Sequence, residues 1–365
     1  MNLHIAPDNV FTNRFYDNLS ELDILKNNKV VVRTYENKLR YIKHNVPFAK
    51  LYSSDFNQII GDTNQYDKVF IHQFTPLLYR WVAKNKFREL NWMVWGADLY
   101  NLPFIKDHIY EPVTYQKYIR KKWSFNDVVY RAKVFIYNQS FKDEAYSKVK
   151  NIFTWMKGEY QFAKNHLHSL QADHQFFFYE NEFPYSQLDG LLSSSQASTA
   201  DVNVKPTYVL GNAANPVLNH IDVVLHMQHA GIQANLTLPV GYGFPHYAKF
   251  LKKNLAFYTG GSLEFIDRYM SFQDYLNVLS QTNGMIMNSV RPQGYGNIFL
   301  MQYMNKPVYF NVKNISLADL TTNQIMWRGI EQLPKSGSEI IENKDAVVRL
   351  LSHSRLLEIY QKIFK

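Results

Sequence analysis

Short apolar runs of strand length recur along the whole chain with amphipathic helical stretches between them, and that alternation restricts the possible architectures more than any other feature. The clearest strand candidates are residues 30–32, 68–72, 92–95, 134–137, 207–210, 236–240, 284–288 and 307–310. Strands separated by helix-length segments predict α/β units around mainly parallel sheets, because a parallel neighbour requires a long crossover. The chain has 365 residues, and at about 150 residues per domain that length corresponds to roughly two domains. Between residues 189 and 206 the composition turns to Ser, Ala, Gln and Asp, with Ser193-Ser194-Ser195 at its centre. That stretch reads as a linker over 191–206. The expected organisation is therefore one α/β domain over 1–190, a second over 207–343, and an amphipathic helix over 344–365.

Composition excludes several classes of protein. With 46% hydrophobic and 16% aromatic residues the chain can bury a large core and does not read as disordered. It has no cysteine, so a disulfide framework, a thiolate zinc site and a cysteine nucleophile are excluded. The N-terminal segment Met1-Asn2-Leu3-His4-Ile5-Ala6-Pro7-Asp8-Asn9 lacks a basic stretch followed by an apolar core, so it does not read as an export signal. No run of about 18 uncharged apolar residues occurs, so a membrane span is not expected. His166 with His168, and His226 with His229, read as structural or surface histidines, because no carboxylate falls at a spacing that completes a metal site. Asp-x-Asp and Gly-x-Ser-x-Gly are both absent, which speaks against metal-held nucleotides and a serine-hydrolase elbow.

The formal net charge is +9. Residues 106–164 carry twelve Lys/Arg against six Asp/Glu, with Tyr110, Tyr115, Tyr118, Trp123 and Phe125 around Arg120-Lys121-Lys122. Two readings stand: a solvated face, or a surface that meets anionic lipid headgroups, where clustered cations and interfacial rings both help. No nucleic-acid-binding motif accompanies the charge, so a nucleic-acid partner is not expected.

Three segments can carry chemistry. Thr207-Tyr208-Val209-Leu210-Gly211-Asn212-Ala213-Ala214-Asn215 is a strand followed by a small-residue turn, and Asn219-His220 opens a helix. Such a turn either cradles a diphosphate with free N–H groups or is an ordinary strand-to-helix connection. Arg291-Pro292-Gln293-Gly294-Tyr295-Gly296-Asn297 follows a strand and precedes a helical run. There an arginine can neutralise a departing diphosphate while the turn's N–H groups hold it. Trp95-Gly96-Ala97-Asp98-Leu99-Tyr100 leaves a carboxylate at a strand's carboxyl end, where α/β proteins place ligands. Asp98 either orients a sugar hydroxyl and accepts its proton or caps a helix. Asp8-Asn9 and His72-Gln73 also lie at strand ends, and Gly241-Tyr242-Gly243 is a further turn that shapes a wall.

These motifs, in this order, resemble the bacterial 4-acetamido-4,6-dideoxy-D-galactose (Fuc4NAc) transferase family of enterobacterial common antigen synthesis. The resemblance rests on His72-Gln73-Phe74-Thr75-Pro76, the Trp95–Tyr100 block, Gly211-Asn212 with Asn219-His220-Ile221, Pro239-Val240-Gly241-Tyr242, Phe272-Gln273-Asp274-Tyr275-Leu276 and Gln293-Gly294-Tyr295-Gly296 with Pro307. It implies an α/β fold of the GT-B type, two Rossmann-like domains facing a central cleft, the second holding a nucleotide sugar and the first an acceptor. It implies a dTDP-sugar donor, a polyprenyl-diphosphate-linked glycan acceptor, retention at the anomeric carbon and no metal or other cofactor. The protein is then cytoplasmic and peripheral on the anionic inner face of the cell membrane. On this reading the donor side comprises Gly211, Asn212, Asn215, His220, Gly241, Tyr242, Arg291, Gln293, Gly294, Gly296 and Asn297. The acceptor side comprises Asp8, Asn13, His72, Gln73 and Asp98, with Asp98 and Arg291 in the catalytic roles. Residues 142–204 depart from the family pattern, and Gln293 stands where related GT-B enzymes carry a carboxylate. A GT-B enzyme acting on a soluble or protein acceptor, a nucleotide-sugar epimerase and a non-catalytic carbohydrate-binding relative are the competing readings.

Overall fold

A computed structural model describes residues 1–102, 105–120, 139–179, 185–193, 205–268, 270–334 and 339–365. It divides into two compact units: Met1–Lys106 with Ser124–Glu180 and Ser352–Lys365, and Asp107–Trp123 with Asn181–Leu351. Each is built on one sheet in which every pairing is parallel.

The first sheet contains β1 (Asn2–Pro7), β2 (Asn28–Thr34), β3 (Phe48–Lys50), β4 (Val69–His72), β5 (Leu90–Met93), β6 (Val149–Thr154) and β7 (Asp173–Phe176), ordered β3-β2-β1-β4-β5-β6-β7. The second contains β8 (Thr207–Leu210), β9 (Asn235–Pro239), β10 (Leu263–Ile266), β11 (Gly284–Met287), β12 (Val308–Phe310) and β13 (Arg328–Gly329), ordered β10-β9-β8-β11-β12-β13. Both orders start with the third strand, run back to the first and then jump to the fourth, which is the doubly wound arrangement. The direction of winding therefore reverses between β1 and β4 and again between β8 and β11. Ligands of open parallel sheets bind beyond the strand carboxyl ends at such points.

Burial explains which strands were readable. Val30, Val31 and Val32, like Val69, Phe70 and Ile71, are fully or almost fully buried, since helices cover both faces of a parallel sheet. Strands β1, β3, β6, β7, β10 and β13 were not expected: His4, Asn151 and Asp173 interrupt β1, β6 and β7, while β3 and β13 span only three and two residues. The candidate strand at 134–137 and the aromatic-basic residues Lys121, Lys122, Trp123 and Phe125 lie outside the described residues, as do residues 194–204 of the expected linker.

Two features of chain routing differ from expectation. The tail is not one helix but two, Lys344–Leu350 and His353–Phe364. Ser352 separates them, its side chain accepting from Arg355 N at 3.4 Å as an N-cap. The second belongs to the first unit, where Phe364 meets the rings of His4, Phe15 and Phe70, each at 5.2 Å. Its carbonyl oxygen accepts from Asn28 Nδ2 at 3.0 Å. The basic segment was expected wholly in the first domain, yet its part at residues 107–120 belongs to the second unit. There Asp222 accepts the N–H groups of Val113 (2.8 Å) and Thr114 (3.0 Å), and Asn219 Oδ1 that of Glu111 (2.9 Å). Tyr118, 6% exposed, packs on Tyr247 and Phe250 at 4.6 and 4.8 Å. It is a core residue and is not free to meet lipid. Among the described residues no helix is long and apolar enough to cross a membrane.

Candidate functional site

In the second unit, four loops interlock beyond the carboxyl ends of the strands. The backbone after β8 and the backbone after β9 are stitched by Ala214 N to Tyr242 O (2.7 Å) and Phe244 N to Ala214 O (2.8 Å). A Cβ on Gly243 (φ +107°) would stand 2.7 Å from Ala214 O, and one on Gly241 would stand 2.6 Å from Arg268 O. Only a residue without a side chain lets these backbones approach so closely. Gly241 thus lets the backbone after β9 pass close to Arg268, and the next residue, Tyr242, is 77% exposed.

The turn after β8 obeys the same logic with a different partner. Gly211 takes φ +71°, and a Cβ there would lie 2.7 Å from His220 Nε2 and 3.0 Å from Leu218 Cδ1. The missing side chain makes room for the protein's own interior, not for a ligand as expected. His220 is fully buried, its Nδ1 lies 3.3 Å from the Tyr247 hydroxyl and its Nε2 has no partner. Burial holds its pKa down at about 3, so the ring is neutral at physiological pH. His220 was expected to touch the donor; the structure places it behind the turn as its support. Asn215 is half-buried, and its side chain caps a short 3₁₀ turn by accepting from Val217 N (3.3 Å).

Arg291 follows β11 in a loop held by asparagines that no local pattern announced. Asn219 Nδ2 donates to Asn288 O at 2.9 Å, and Asn311 Nδ2 to Asn288 Oδ1 at 2.9 Å. Asn314 Nδ2 donates to Ser289 O at 2.8 Å. Asn311 also donates to Glu111 Oε1 at 2.9 Å, whose carboxylate pairs with Lys313 at 3.1 Å. Arg291 is half-buried, with Nη1 donating to Pro292 O at 3.0 Å. Gly294 (φ +68°) opens the helix Tyr295–Tyr303, whose first N–H groups lack intrahelical acceptors by construction. A Cβ on Gly294 would stand 2.7 Å from the Asn212 amide, and Asn212 Oδ1 is a buried acceptor with no partner. The structure therefore brings the Gly211-Asn212 turn against the Gly294 helix start, across the point where β8 and β11 diverge. Gln293, Gly296 and Asn297 are half-buried beside it. A helix start, a polar amide against it and an arginine in the loop that leads to it suit a diphosphate.

In the first unit the expected acceptor residues have mostly internal partners. Asp98 is 2% exposed. Its Oδ2 accepts from Trp92 Nε1 (2.6 Å) and Phe74 N (2.9 Å), and its Oδ1 from Trp95 N (3.0 Å). Burial pushes its carboxyl above the usual range, while the bonds from Trp92, Trp95 and Phe74 oppose that shift. Asp98 thus ties the loop after β4 to the loop after β5. Asp8 accepts the N–H groups of Arg40 (2.5 Å), Tyr41 (3.0 Å) and Ile42 (3.2 Å), and Asn13 Oδ1 accepts that of Lys43 (2.9 Å).

His72, fully buried, sits in a chain whose proton positions are determined. Asn28 Nδ2 donates to Ile24 O and Phe364 O, so its Oδ1 is the acceptor that faces His4 Nε2 at 3.0 Å. His4 therefore carries its proton on Nε2 and accepts at Nδ1 from His72 Nε2 (3.1 Å). His72 Nδ1 then accepts from the Tyr179 hydroxyl at 2.5 Å. Both rings are neutral: burial lowers His4 to about 4 against a smaller opposing effect of Asn28, and burial, with His4 and Arg33, holds His72 well below the ordinary imidazole value. Gln73 is the exception on this side. Its backbone adopts φ +62°, and its carbonyl and Oε1 accept from Arg33 Nη2 at 2.9 and 3.1 Å. Among the described residues its amide Nε2 has no hydrogen-bond partner. Arg33, 4% exposed, was not singled out in the sequence, where it reads only as the end of a valine strand.

Two doubly wound parallel sheets, each with polar loops at its carboxyl edge, are the architecture of the GT-B class of glycosyltransferases. The solved structures that share the fold agree. Sucrose-phosphate synthase from Thermosynechococcus elongatus matches 100% of this chain and 99% of its own at 10% identity, TM-score 0.54. An α,α-trehalose-phosphate synthase (UDP-forming) from Burkholderia vietnamiensis matches 100% and 98% at 7% identity, TM-score 0.52. Anabaena HepE, in complex with UDP and glucose, matches 100% and 98% at 11% identity, TM-score 0.50. The chain belongs to the family described as 4-alpha-L-fucosyltransferase, glycosyl transferase group 56, whose model matches residues 128–348, more than half its length. This is the Fuc4NAc transferase family indicated by the sequence motifs, and the protein is a glycosyltransferase.

Proposed function

We propose that the protein transfers a deoxyamino sugar from a dTDP-activated donor to a polyprenyl-diphosphate-linked glycan, with retention at the anomeric carbon and without a metal. The observation that carries this reading is the meeting of the Gly211-Asn212 turn, Arg291 and the Gly294 helix start at the reversal point of the second sheet. There Gly294, Gly296 and the first N–H groups of the helix hold the diphosphate, and Arg291 neutralises the charge that grows on it as the glycosidic bond to the sugar breaks. Such stabilisation is worth most where it is stronger in the transition state than in the ground state. Asn212 Oδ1 accepts from a sugar hydroxyl, and the exposed Tyr242 ring stands at the rim of the same loops. On the first unit Gln73 donates from its free amide to the acceptor, while Asp98 and His72 act as positioning residues behind it. An acceptor carried on a lipid places the protein at a membrane surface.

A relative of this fold holds UDP and glucose, which makes free nucleotides fitting probes. Thermal-shift titration with dTDP, UDP, GDP and CMP is expected to raise Tm for dTDP most, because a ligand of the native state stabilises by mass action. Arg291→Ala is expected to lower kcat by about 10²–10³-fold at saturating donor, the scale for removal of one transition-state charge partner. Near wild-type turnover in a folded Arg291→Ala protein removes Arg291 from the mechanism.

A further inference from the structure

We propose that residues 35–52 of the first unit form the surface that docks the protein on an anionic bilayer; this rests on the lipid-linked acceptor proposed above. The segment runs from the end of β2 past β3 and carries Lys38, Arg40, Lys43 and Lys50 against the single acid Glu36. All four cations are exposed, and none forms an ion pair among the described residues. Between them stand Tyr35 (68% exposed), Tyr41, Phe48 and Tyr52. Arg40 lies over the Tyr41 ring at 5.3 Å.

This arrangement is built and not a frayed loop. Asp8 clamps the N–H groups of Arg40, Tyr41 and Ile42, and Asn13 clamps that of Lys43. His44 pairs with Asp17 at 2.7 Å and stacks on Tyr16. Ile42 and Val46 turn inward onto Val32. In β3 the alternation puts Ala49 inside and Phe48 and Lys50 outside. Tyr52 is fixed by its hydroxyl, which donates to Leu77 O at 2.5 Å. The segment's aliphatic side chains are thus spent on its own small core, while rings and cations remain outside. Unpaired cations match lipid phosphates, and aromatic rings with polar tips settle at headgroup depth, so an anionic bilayer complements both halves of the surface. In the 107–120 stretch Tyr118 is instead committed to the second unit's core.

The test is co-sedimentation with vesicles of phosphatidylcholine containing phosphatidylglycerol, against phosphatidylcholine alone. Wild type is expected to bind only the anionic vesicles and to be released as salt shortens the screening length below about 8 Å. The charge variant K38S/R40S/K43S/K50S is expected to lose about fivefold in affinity per residue. The ring variant Y35S/Y41S is expected to lose the part of binding that survives moderate salt. K121S/K122S is expected to bind as wild type. A retained dTDP thermal shift in each variant shows that the protein is folded. Vesicle binding that is absent in wild type, unchanged in the charge variant or abolished by K121S/K122S overturns the proposal. Normal vesicle binding with no nucleotide shift refutes the donor reading alone, whereas a wild-type protein that transfers sugar to a detergent-dispersed lipid acceptor yet binds no anionic vesicles refutes only the docking surface.

Discussion

The Gly211→Ala substitution separates two explanations of the same glycine. If the turn after β8 lacks a side chain because a diphosphate presses on it, a methyl group costs affinity and little else. The structure points the Cβ the other way, to 2.7 Å from His220 Nε2 and 3.0 Å from Leu218 Cδ1, both fully buried. Two costs then fall on folding itself. An L-residue at φ +71° loses about 1–2 kcal/mol. Forcing a methyl into the packed interior adds about 1–3 kcal/mol, so the total is about 2–5 kcal/mol. Urea unfolding followed by tryptophan fluorescence measures that loss directly. A double-mutant cycle with His220→Ala then isolates the contact. In the His220→Ala background the methyl has space, so Gly211→Ala is expected to cost only its backbone share, and the coupling is about 1–3 kcal/mol. Unchanged stability of Gly211→Ala, or an equal cost in both backgrounds, refutes the reasoning and returns the glycine to the ligand.

Asp98→Asn leaves one or two of the N–H groups of Phe74, Trp95 and Trp92 facing an amide NH₂, and is expected to destabilise the first unit by about 1–3 kcal/mol while nucleotide binding persists. A fall in kcat at unchanged urea midpoint assigns Asp98 instead to the acceptor hydroxyl. The buried histidines predict an acid-labile fold: burial lowers His4 to about 4 and holds His72 well below the ordinary imidazole value, so the unfolded chain binds more protons below about pH 6.5. Their stabilisation is therefore complete above that pH and is lost as pH falls from 6.5 towards 4, at up to about 1.4 kcal/mol per unit for each ring. Urea midpoints between pH 4.5 and 7.5 check this, and a His4→Asn variant with the wild-type slope sinks it.

Much of the architecture was legible in the chain because parallel strands buried on both faces leave a direct mark. Val30-Val31-Val32 and Val69-Phe70-Ile71 read as strands without any tertiary knowledge. The glycine turns at Gly211, Gly241 and Gly294 were legible as special backbone, and the order of motifs was enough to name the family. What each missing Cβ avoids was not, since His220, Arg268 and Asn212 reach those turns by folding alone. The strands that escaped notice carry polar groups whose partners are remote: His4 needs Asn28 and His72, and Asn151 needs Asn91 at 2.8 Å. A polar residue inside a strand looks unfavourable until its hydrogen-bond partner is brought beside it. Asp98 shows the same limit at the site, because a carboxylate after a strand reads equally as ligand or helix cap, and the convergence of Trp92, Phe74 and Trp95 on it is created only by folding. The segment 107–120 marks the limit for domains: its charge and rings were plain in the sequence, but the carboxylate of Asp222 and the ring of Tyr247, more than a hundred residues away, assign it to the second unit.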